Sequence, residues 1–316
     1  HTSCTVLVSR KLSDNVALTE RPNNCCRGGT ITVQANYVVD GKHLFHPCWC
    51  GGTAFVDNAF GKYNACTVIR CVNCGQLRTF PEPSAESLEV IYSPATEKYS
   101  EDGFDADRDA LFTGFGADVV RNLTPFVPAA PRLLDVGCNM GHLLFAARNA
   151  GWTADGLEIN QGLIPTLRSH GFTVHDTFLE TADIEPATYD VLVANQVLEH
   201  VPDPLAFLEA AKRVVKPGGI IFLSLPCYWS PFPVLLKRDS WYSLLPEEHI
   251  WQFSQPNLMA LLKRANLTVL DYNRGCSDFA GKLSPNPKTW LRYAIYKWPK
   301  WFGLGDFHNV VLRNAG

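Results

Sequence analysis

The sequence predicts an α/β fold, in which a doubly wound and mostly parallel sheet forms the main domain and a small β-rich module precedes it. Two observations predict the main domain. Between residues 131 and 273, short apolar stretches alternate with stretches of helical periodicity, as in RLLDVGC followed by HLLFAARNAG. The short stretches are apolar throughout, which is typical of parallel strands that helices cover on both faces. A third observation, the abundance of Cys, Gly and β-branched residues before position 83, predicts the separate module.

Four segments follow from these patterns. A chain of 316 residues is long for a single core, which favours a principal domain with smaller attachments. The alternation in ITVQANYVV predicts a half-buried strand in the N-terminal module. We therefore expect a β-rich, metal-binding module over residues 1–82, a helical linker that also covers the bound ligand over 83–130, the α/β core over 131–273, and an aromatic C-terminal tail over 274–316.

The stretch LLDVGCNMGHLL combines a buried strand, a glycine turn and the start of a helix, which is typical of a nucleotide-binding loop. A dinucleotide-binding loop would need the pattern G-x-G-x-x-G, and a phosphate-binding loop would need Lys-Ser/Thr where His142-Leu143 stand. Gly137 and Gly141 still let the backbone approach a ligand closely. Asp135 at the strand end would repel a pyrophosphate, whereas it would attract an ammonium or a sulfonium group. The loop is therefore predicted to hold a cationic nucleoside.

The next predicted strand, ADGLEI, ends near Glu158, about 20 residues after the loop. In a doubly wound fold, an acidic side chain at this place reaches ribose hydroxyls, so Glu158 fits any ligand that contains adenosine. The simpler alternative is that the glycines only permit a tight turn and that Glu158 is a solvated strand end.

These motifs, followed by YDVLVANQVLEHVPDP and VVKPGGIIFLSLP, resemble those of class I S-adenosylmethionine-dependent methyltransferases over about residues 130–273. The resemblance implies a Rossmann-like core with S-adenosyl-L-methionine as the cofactor. It also implies residue roles: Asp135, Gly137 and Gly141 around the methionine part, Glu158 on the ribose, Asp176 and Thr177 beside the adenine, and Asn195 and Gln196 along the cofactor. The sequence neighbours Cys138, Asn139 and Ile159 complete the predicted cofactor-binding set.

Eight of the eleven cysteines lie in the N-terminal quarter of the chain. In a reducing compartment, such clustering favours metal binding over disulfides. Cys48-x-Cys50 and Cys71-x-x-Cys74 form two close pairs, and a glycine follows each pair directly. Four thiolates at this spacing predict a closed tetrahedral Zn²⁺ site that stabilises a small zinc-ribbon-like module and takes no part in the chemistry. The alternative is that these cysteines are simply free and buried.

The spacing Cys-x-Cys is tighter than the usual Cys-x-x-Cys, so Cys66, His46 and His43 are alternatives to Cys50 as the fourth zinc ligand. The stretches CWCGG and IRCVNCGQLRTFPEPSAESLEVIYSPATEKYS resemble the N-terminal zinc module of methyltransferases from sugar and natural-product pathways. This second resemblance implies that a zinc module precedes the catalytic domain here as well.

Methyl transfer needs a general base only when the acceptor must lose a proton during the attack. The candidate catalytic residues are His249, in PEEHIWQFS, and His200, in VLEHVPDP. The resemblance places His249 in the loop over the cofactor. The alternative is that both histidines only hold neighbouring loops. Many aromatic and few charged residues precede His249, which favours an apolar or glycosylated acceptor, and Tyr99 and Tyr228 are candidate substrate contacts.

The predicted function is S-adenosylmethionine-dependent methyl transfer to a small molecule: a sugar, a nucleotide-linked sugar or another biosynthetic intermediate. The alternatives are RNA base methylation and a non-catalytic protein that senses the cofactor. A formal net charge of -3 without a basic cluster argues against a nucleic-acid partner. The methylated atom, O, N or C, stays open.

The sequence has no apolar stretch of about 20 residues, so we expect no transmembrane segment and a cytoplasmic location. The tail TWLRYAIYKWPKWFG places apolar and aromatic residues on one helical stripe with basic residues nearby. This stripe is expected to serve as a docking or dimer contact, with peripheral membrane contact as an alternative. The chain is accordingly expected to be a monomer or a homodimer.

Overall fold

The computed structural model describes residues 30–32, 38–39, 42–43, 46–57, 67–80, 82–83, 106–228, 248–275 and 305–316. Most of the predicted linker before residue 106 and most of the aromatic tail lie outside these ranges. Among the described residues, none of the helices has the length and the apolar character that a membrane span requires.

The N-terminal module is β-rich, as the sequence predicts. Its strands are β1 (Thr30–Thr32), β2 (Val38–Val39), β3 (Lys42–His43), β4 (Ala54–Asp57), β5 (Thr67–Cys71) and β6 (Leu77–Phe80). β1, β4, β5 and β6 form consecutive antiparallel pairs in one sheet, and β2 pairs with β3 separately. Phe55 of β4 and Ile69 of β5 are fully buried and form the apolar side of this sheet.

The core strands are β7 (Arg132–Val136), β8 (Thr153–Leu157), β9 (Val174–His175), β10 (Tyr189–Asn195), β11 (Val215–Pro226), β12 (Trp251–Gln252), β13 (Leu267–Gly275) and β14 (Phe307–Asn314). Seven of them form one sheet in the order β9-β8-β7-β10-β11-β14-β13. The pairs from β9 to β11 are parallel, and β14 runs antiparallel to both of its neighbours. This topology confirms the predicted doubly wound, mostly parallel fold.

In the described part of the chain, five α-helices accompany the sheet: α1 (Ala106–Leu123), α2 (His142–Asn149), α3 (Ile164–Ser169), α4 (Pro204–Val214) and α5 (Gln255–Arg264). Consecutive residues of β7 point to opposite faces, so Leu133 packs with apolar residues of α1, α2 and α3, while Leu134 packs with those of α4 and α5. Helices therefore cover both faces, which explains why the strands are apolar throughout. The side chain of Asp203 begins α4 by accepting hydrogen bonds from the backbone N–H groups of Leu205 and Ala206.

Strand β14 comes from the segment that the sequence analysis assigned to an aromatic tail. It inserts between β11 and β13, and its Val310 and Leu312 are fully buried. The sheet of the core therefore extends beyond residue 273. The apolar run VVL in this strand is only three residues long and follows a tryptophan-rich stretch, so the sequence pattern did not indicate a strand here.

Candidate functional site

The glycine loop joins β7 to α2 at the carboxyl end of the sheet. Gly137 and Gly141 have φ angles of 71° and 80°, in the left-handed region that favours glycine. A Cβ atom on Gly141 would lie 2.5 Å from Cδ2 of Leu167, so a larger residue would require the Leu167 side chain or the loop to move. The N–H of Gly137 donates to the carbonyl oxygen of Leu157 at the end of β8, at 2.8 Å. The loop is thus held tightly between two strand ends.

Glu158 ties this loop to the end of β8. Its carboxylate accepts hydrogen bonds of 2.8 Å from three backbone N–H groups, those of Asn139, Ile159 and Asn160. The predicted residues Asn139 and Ile159 therefore meet Glu158 through their backbones. Asn139 has a φ of 48°, and its buried Oδ1 has no hydrogen-bond partner among the described residues.

Asp135 and Glu158 are both buried acidic residues beside the loop. Burial raises the pKa of Asp135 well above its usual range, and the nearby charge of Glu158 raises it further. Burial also raises the pKa of Glu158, against the effect of the three backbone hydrogen bonds. Within the described ranges, neither carboxylate takes part in an ion pair. A positively charged ligand would relieve this cost of burying negative charge.

Cys138 has a different role from that of its neighbours. Its side chain is buried, and a Cβ atom on Gly156 would lie only 2.6 Å from its Sγ atom. The thiol thus fills the space between the loop and β8, and burial raises its pKa well above the usual range. The N–H of Cys138 donates to the carbonyl oxygen of Leu157 at 3.2 Å, and its carbonyl oxygen accepts from the N–H of Gly141 at 2.8 Å.

The other predicted cofactor-binding residues follow neighbouring strands. Val136 pairs with Ala194, so Asn195 and Gln196 come next to Gly137 in the register of the sheet. Leu157 pairs with His175 in the same way, which brings Asp176 and Thr177 next to Glu158. All four residues thus lie at the same edge as the loop. Asp176 is exposed, with its Oδ2 3.5 Å from Nη2 of Arg168, and Thr177 is half-buried.

Glu199, His200 and His249 form a compact group at this edge. One ligand atom from each side chain lies within 4.8 Å of the other two. The rings of His200 and His249 meet edge to face, with centroids 4.6 Å apart. His200 Nδ1 lies 2.9 Å from the carbonyl oxygen of Glu248, and His200 Nε2 lies 3.8 Å from Glu199 Oε1. The structure thus brings together both predicted catalytic histidines, and Glu199 joins them.

Glu199 is 1% exposed, and neither of its carboxylate oxygens has a hydrogen-bond partner among the described residues. Burial raises its pKa to about 8. Val197, two residues earlier, comes close to the cofactor loop, because a Cβ atom on Gly137 would lie 3.1 Å from its Cγ2 atom. Glu199 thus lies two residues after Val197, which comes close to the loop, and the group follows the end of β10.

The two tyrosines proposed as substrate contacts differ in what the structure shows. Tyr228 is buried just after β11, and its N–H donates to the carbonyl oxygen of Phe253 at 2.9 Å. Tyr99 lies outside the described residues, so its role stays a prediction.

The four cysteines predicted as zinc ligands, Cys48, Cys50, Cys71 and Cys74, converge on one point. Their Sγ atoms all lie within 4.8 Å of one another, with 3.5 Å between those of Cys48 and Cys74 and 3.7 Å between those of Cys50 and Cys71. The backbone N–H of Gly52 donates to Cys50 Sγ at 3.3 Å. His46, an alternative ligand, instead contacts Glu82 through Nδ1 at 2.8 Å.

The cysteine module is joined to the loop that carries His249. Strand β12 leaves the core and pairs with β6, so it becomes the last strand of the N-terminal sheet. Thr79 Oγ1 donates to the carbonyl oxygen of His249 at 2.8 Å, and Asn257 Nδ2 donates to that of Cys74, also at 2.8 Å. Pattern analysis missed this connection, because a two-residue strand leaves no periodic signal.

A family model described as a methyltransferase domain matches residues 108–272. The ubiquinone biosynthesis O-methyltransferase of Methylococcus capsulatus is 37% identical over 103 residues, which are 30% of this chain and 44% of that protein. The protein of the same name from Vibrio cholerae is 35% identical over 100 residues, which are 29% of this chain and 41% of that protein. The chain thus matches less than half the length of these curated relatives.

Solved structures show the same fold at low identity. The cyclase SpnF has a TM-score of 0.50 and 18% identity, over 73% of this chain and 96% of that one. A chain from a complex that contains the Haloferax volcanii Trm112 methyltransferase activator has a TM-score of 0.54 and 14% identity, over 70% of this chain and 97% of that one. The family model matches more than half of the 316 residues. The chain therefore belongs to the family of proteins with a methyltransferase domain.

Proposed function

We propose that this chain transfers a methyl group from S-adenosyl-L-methionine to a small molecule by in-line displacement. The observation that carries the proposal is the pair of buried carboxylates, Asp135 and Glu158, at the glycine loop of a methyltransferase domain, without an ion-pair partner in the described part of the chain. A cofactor with an ammonium group and a sulfonium group supplies the positive charge that these residues favour. A phosphate-bearing nucleotide would add negative charge to them.

The residues of the loop fit this cofactor. When bound, S-adenosylmethionine supplies a methyl group on a positively charged sulfur atom. We assign Asp135 to the ammonium group of its methionine part, with Gly137 and Gly141 leaving room for that part. Both carboxylate oxygens of Glu158 accept backbone hydrogen bonds, and we assign this carboxylate to the ribose hydroxyls. The further proposed contacts are the Cys138 backbone, Asn139, Ile159, Asp176, Thr177, Asn195 and Gln196.

His249 and His200 are proposed to act on the acceptor. Both histidines lie in the group beside Val197, which contacts the glycine loop, so an acceptor near them would be close to the transferred methyl group. Their proposed task is to favour loss of the proton from the acceptor as it attacks. Tyr228 and, by sequence position, Tyr99 are the proposed substrate contacts.

The names of the curated relatives support a hydroxyl acceptor on a small molecule, because both are called O-methyltransferases of ubiquinone biosynthesis. We propose a biosynthetic intermediate of this general class, which includes sugars and nucleotide-linked sugars that carry hydroxyl groups. The net charge of -3 argues against RNA as the acceptor.

Cys48, Cys50, Cys71 and Cys74 are proposed to hold one structural Zn²⁺. In a tetrahedral site with Zn–S bonds of about 2.3 Å, the sulfur atoms are about 3.8 Å apart. The observed separations of 3.5 Å and 3.7 Å fit this geometry. Four protein ligands leave no open position, so we assign the ion to stability and not to chemistry. A cytoplasmic location, a monomeric or homodimeric state and a membrane contact through the tail stay predictions.

The proposal is tested by incubating the zinc-loaded chain with S-adenosylmethionine that carries a labelled methyl group. The acceptors are hydroxyl-bearing sugars, nucleotide-linked sugars and phenols in one set, and transfer and ribosomal RNA in another. We expect label in at least one small molecule and none in RNA, and slower transfer by the Glu158→Ala variant when the cofactor is present below its saturating concentration. Label in RNA that disappears steeply with added salt would contradict the small-molecule assignment.

A further inference from the structure

The group formed by Glu199, His200 and His249 is unusual for a protein interior. Glu199 is fully buried, and its two carboxylate oxygens have no hydrogen-bond partner in the described ranges. A buried carboxyl group in this state costs free energy unless a cation or a donor satisfies it. Two imidazoles, those of His200 and His249, lie close to this carboxylate, and imidazoles are common metal ligands.

The orientation of His200 suits a metal ligand. Its Nδ1 lies 2.9 Å from the carbonyl oxygen of Glu248, and a carbonyl oxygen only accepts hydrogen bonds, so Nδ1 carries the hydrogen. In the neutral ring, Nε2 then bears the lone pair, and this atom lies 3.8 Å from Glu199 Oε1. Two ligands on one ion, each about 2.1 Å from it, are about 3.0 to 4.2 Å apart, depending on the angle between them. A carbonyl that holds the second ring nitrogen is also what orients metal-bound histidines in other proteins.

We infer that Glu199, His200 and His249 bind one divalent transition-metal cation, and that this ion has open positions for hydroxyl oxygens of the acceptor. Two imidazoles and one carboxylate make a ligand set that leaves coordination positions free, unlike the four thiolates of the cysteine site. Its N/O ligands also suit harder ions than thiolates do, among them Mn²⁺ and Fe²⁺. The two sites are therefore expected to differ in metal preference.

The assignment of the ion to the acceptor rests on the proposed function, whereas the binding site itself does not. A coordinated hydroxyl group loses its proton to water more readily. The oxygen electron pair then forms the bond to the methyl carbon, and the electron pair of the broken S–C bond stays on sulfur. An acceptor with two adjacent hydroxyl groups would fill two positions on the ion, which makes such molecules the preferred substrate class.

The surrounding backbone fixes the three ligands relative to one another. The N–H of Trp251 donates to the carbonyl oxygen of Glu199 at 3.0 Å, which links the two segments that carry the ligands. Thr79 Oγ1 and Gln252 Nε2 both donate to the carbonyl oxygen of His249, at 2.8 and 2.9 Å. A site held from both sides in this way needs little reorganisation on binding an ion.

The test is a titration of the zinc-loaded chain with Mn²⁺, in which the free ion is counted by electron paramagnetic resonance. With the cysteine site filled by zinc, we expect about one further Mn²⁺ per chain. Glu199→Gln and His249→Gln are each expected to weaken this binding at least about 10-fold. Glu209→Gln is the matched control, because Glu209 is an exposed glutamate on α4, and it should bind Mn²⁺ like the unchanged chain.

Two further measurements show whether a loss of Mn²⁺ binding is caused by misfolding, and whether the cofactor site exists independently of the cation site. Circular dichroism and thermal unfolding show whether Glu199→Gln folds; this change keeps the shape of the side chain and removes the carboxylate that would bind the ion. Calorimetry with S-adenosylmethionine tests the cofactor site independently, so a chain that binds Mn²⁺ but not the cofactor would refute the proposed function and keep the cation site. The inference is overturned if neither Mn²⁺ nor Co²⁺ binds beyond the zinc, or if Glu199→Gln binds Mn²⁺ unchanged.

Discussion

The Cys71→Ser variant is expected to lose its zinc and to unfold the N-terminal module at a lower temperature than the unchanged chain. Cys71 is fully buried, and its Sγ lies 3.7 Å from that of Cys50, so serine would remove one of four converging thiolates. Structural zinc supplies about 10–16 kcal/mol in small zinc domains, and we expect a loss of at least about 3 kcal/mol here. Elemental analysis and thermal unfolding measure the two effects.

The same variant is expected to reduce methyl transfer, although the cysteines lie outside the cofactor site. Strand β6 of the module pairs with β12, and Thr79 of β6 holds the carbonyl oxygen of His249. Loss of the module would therefore release the loop that carries His249. Cys227→Ser is the matched control, because Cys227 is equally buried but lies outside the cysteine cluster, and it should keep one zinc per chain. A Cys71→Ser variant that retains its zinc would refute the four-thiolate site.

Glu158→Ala is expected to weaken the binding of S-adenosylmethionine by about 10- to 100-fold. The carboxylate holds three backbone N–H groups of the loop, at 2.8 Å each, and it is assigned to the ribose hydroxyls. A hydrogen bond to a charged group contributes about 1.5–3 kcal/mol, and each 1.4 kcal/mol changes a dissociation constant about tenfold. Isothermal titration calorimetry on both chains measures the ratio.

The matched control for this change is Glu209→Ala, which removes an exposed carboxylate on α4 far along the chain from the loop. It should leave the affinity for the cofactor unchanged. If Glu158→Ala and the unchanged chain bound S-adenosylmethionine with equal affinity, Glu158 would not belong to the cofactor site. It would then only shape the loop, as in the simpler interpretation.

The sequence alone predicted the features that depend on local patterns. Runs of apolar residues identified the strands of the parallel sheet, and the spacing of Gly137 and Gly141 identified the loop, which the φ angles explain. The spacing of the four cysteines predicted that they converge, which the structure confirms, whereas the zinc itself stays a proposal. Each of these signals lies within a short stretch of sequence, where geometry follows from residue type.

Features that depend on distant contacts could not be predicted in this way. Strand β12 joins the N-terminal sheet through residues about 170 positions apart, such as Thr79 and His249. Glu199 likewise meets a segment about 50 positions away in the chain, where the N–H of Trp251 donates to its carbonyl oxygen. Cys138 was predicted as a cofactor contact by its position, and only the packing of its thiol against Gly156 shows that its side chain faces the core. Periodicity and spacing carry no information on such contacts.

The central claim is that the loop from Asp135 to Gly141 holds a cationic nucleoside and not a phosphate-bearing one. The most direct test is a calorimetric titration of the unchanged chain with S-adenosyl-L-methionine, repeated in the presence of excess ATP or NAD. We predict one binding site per chain, and no displacement by either phosphate-bearing nucleotide, because both would bring negative charge to the buried carboxylates of Asp135 and Glu158. The absence of S-adenosylmethionine binding, or its displacement by ATP or NAD at comparable concentrations, would contradict the claim.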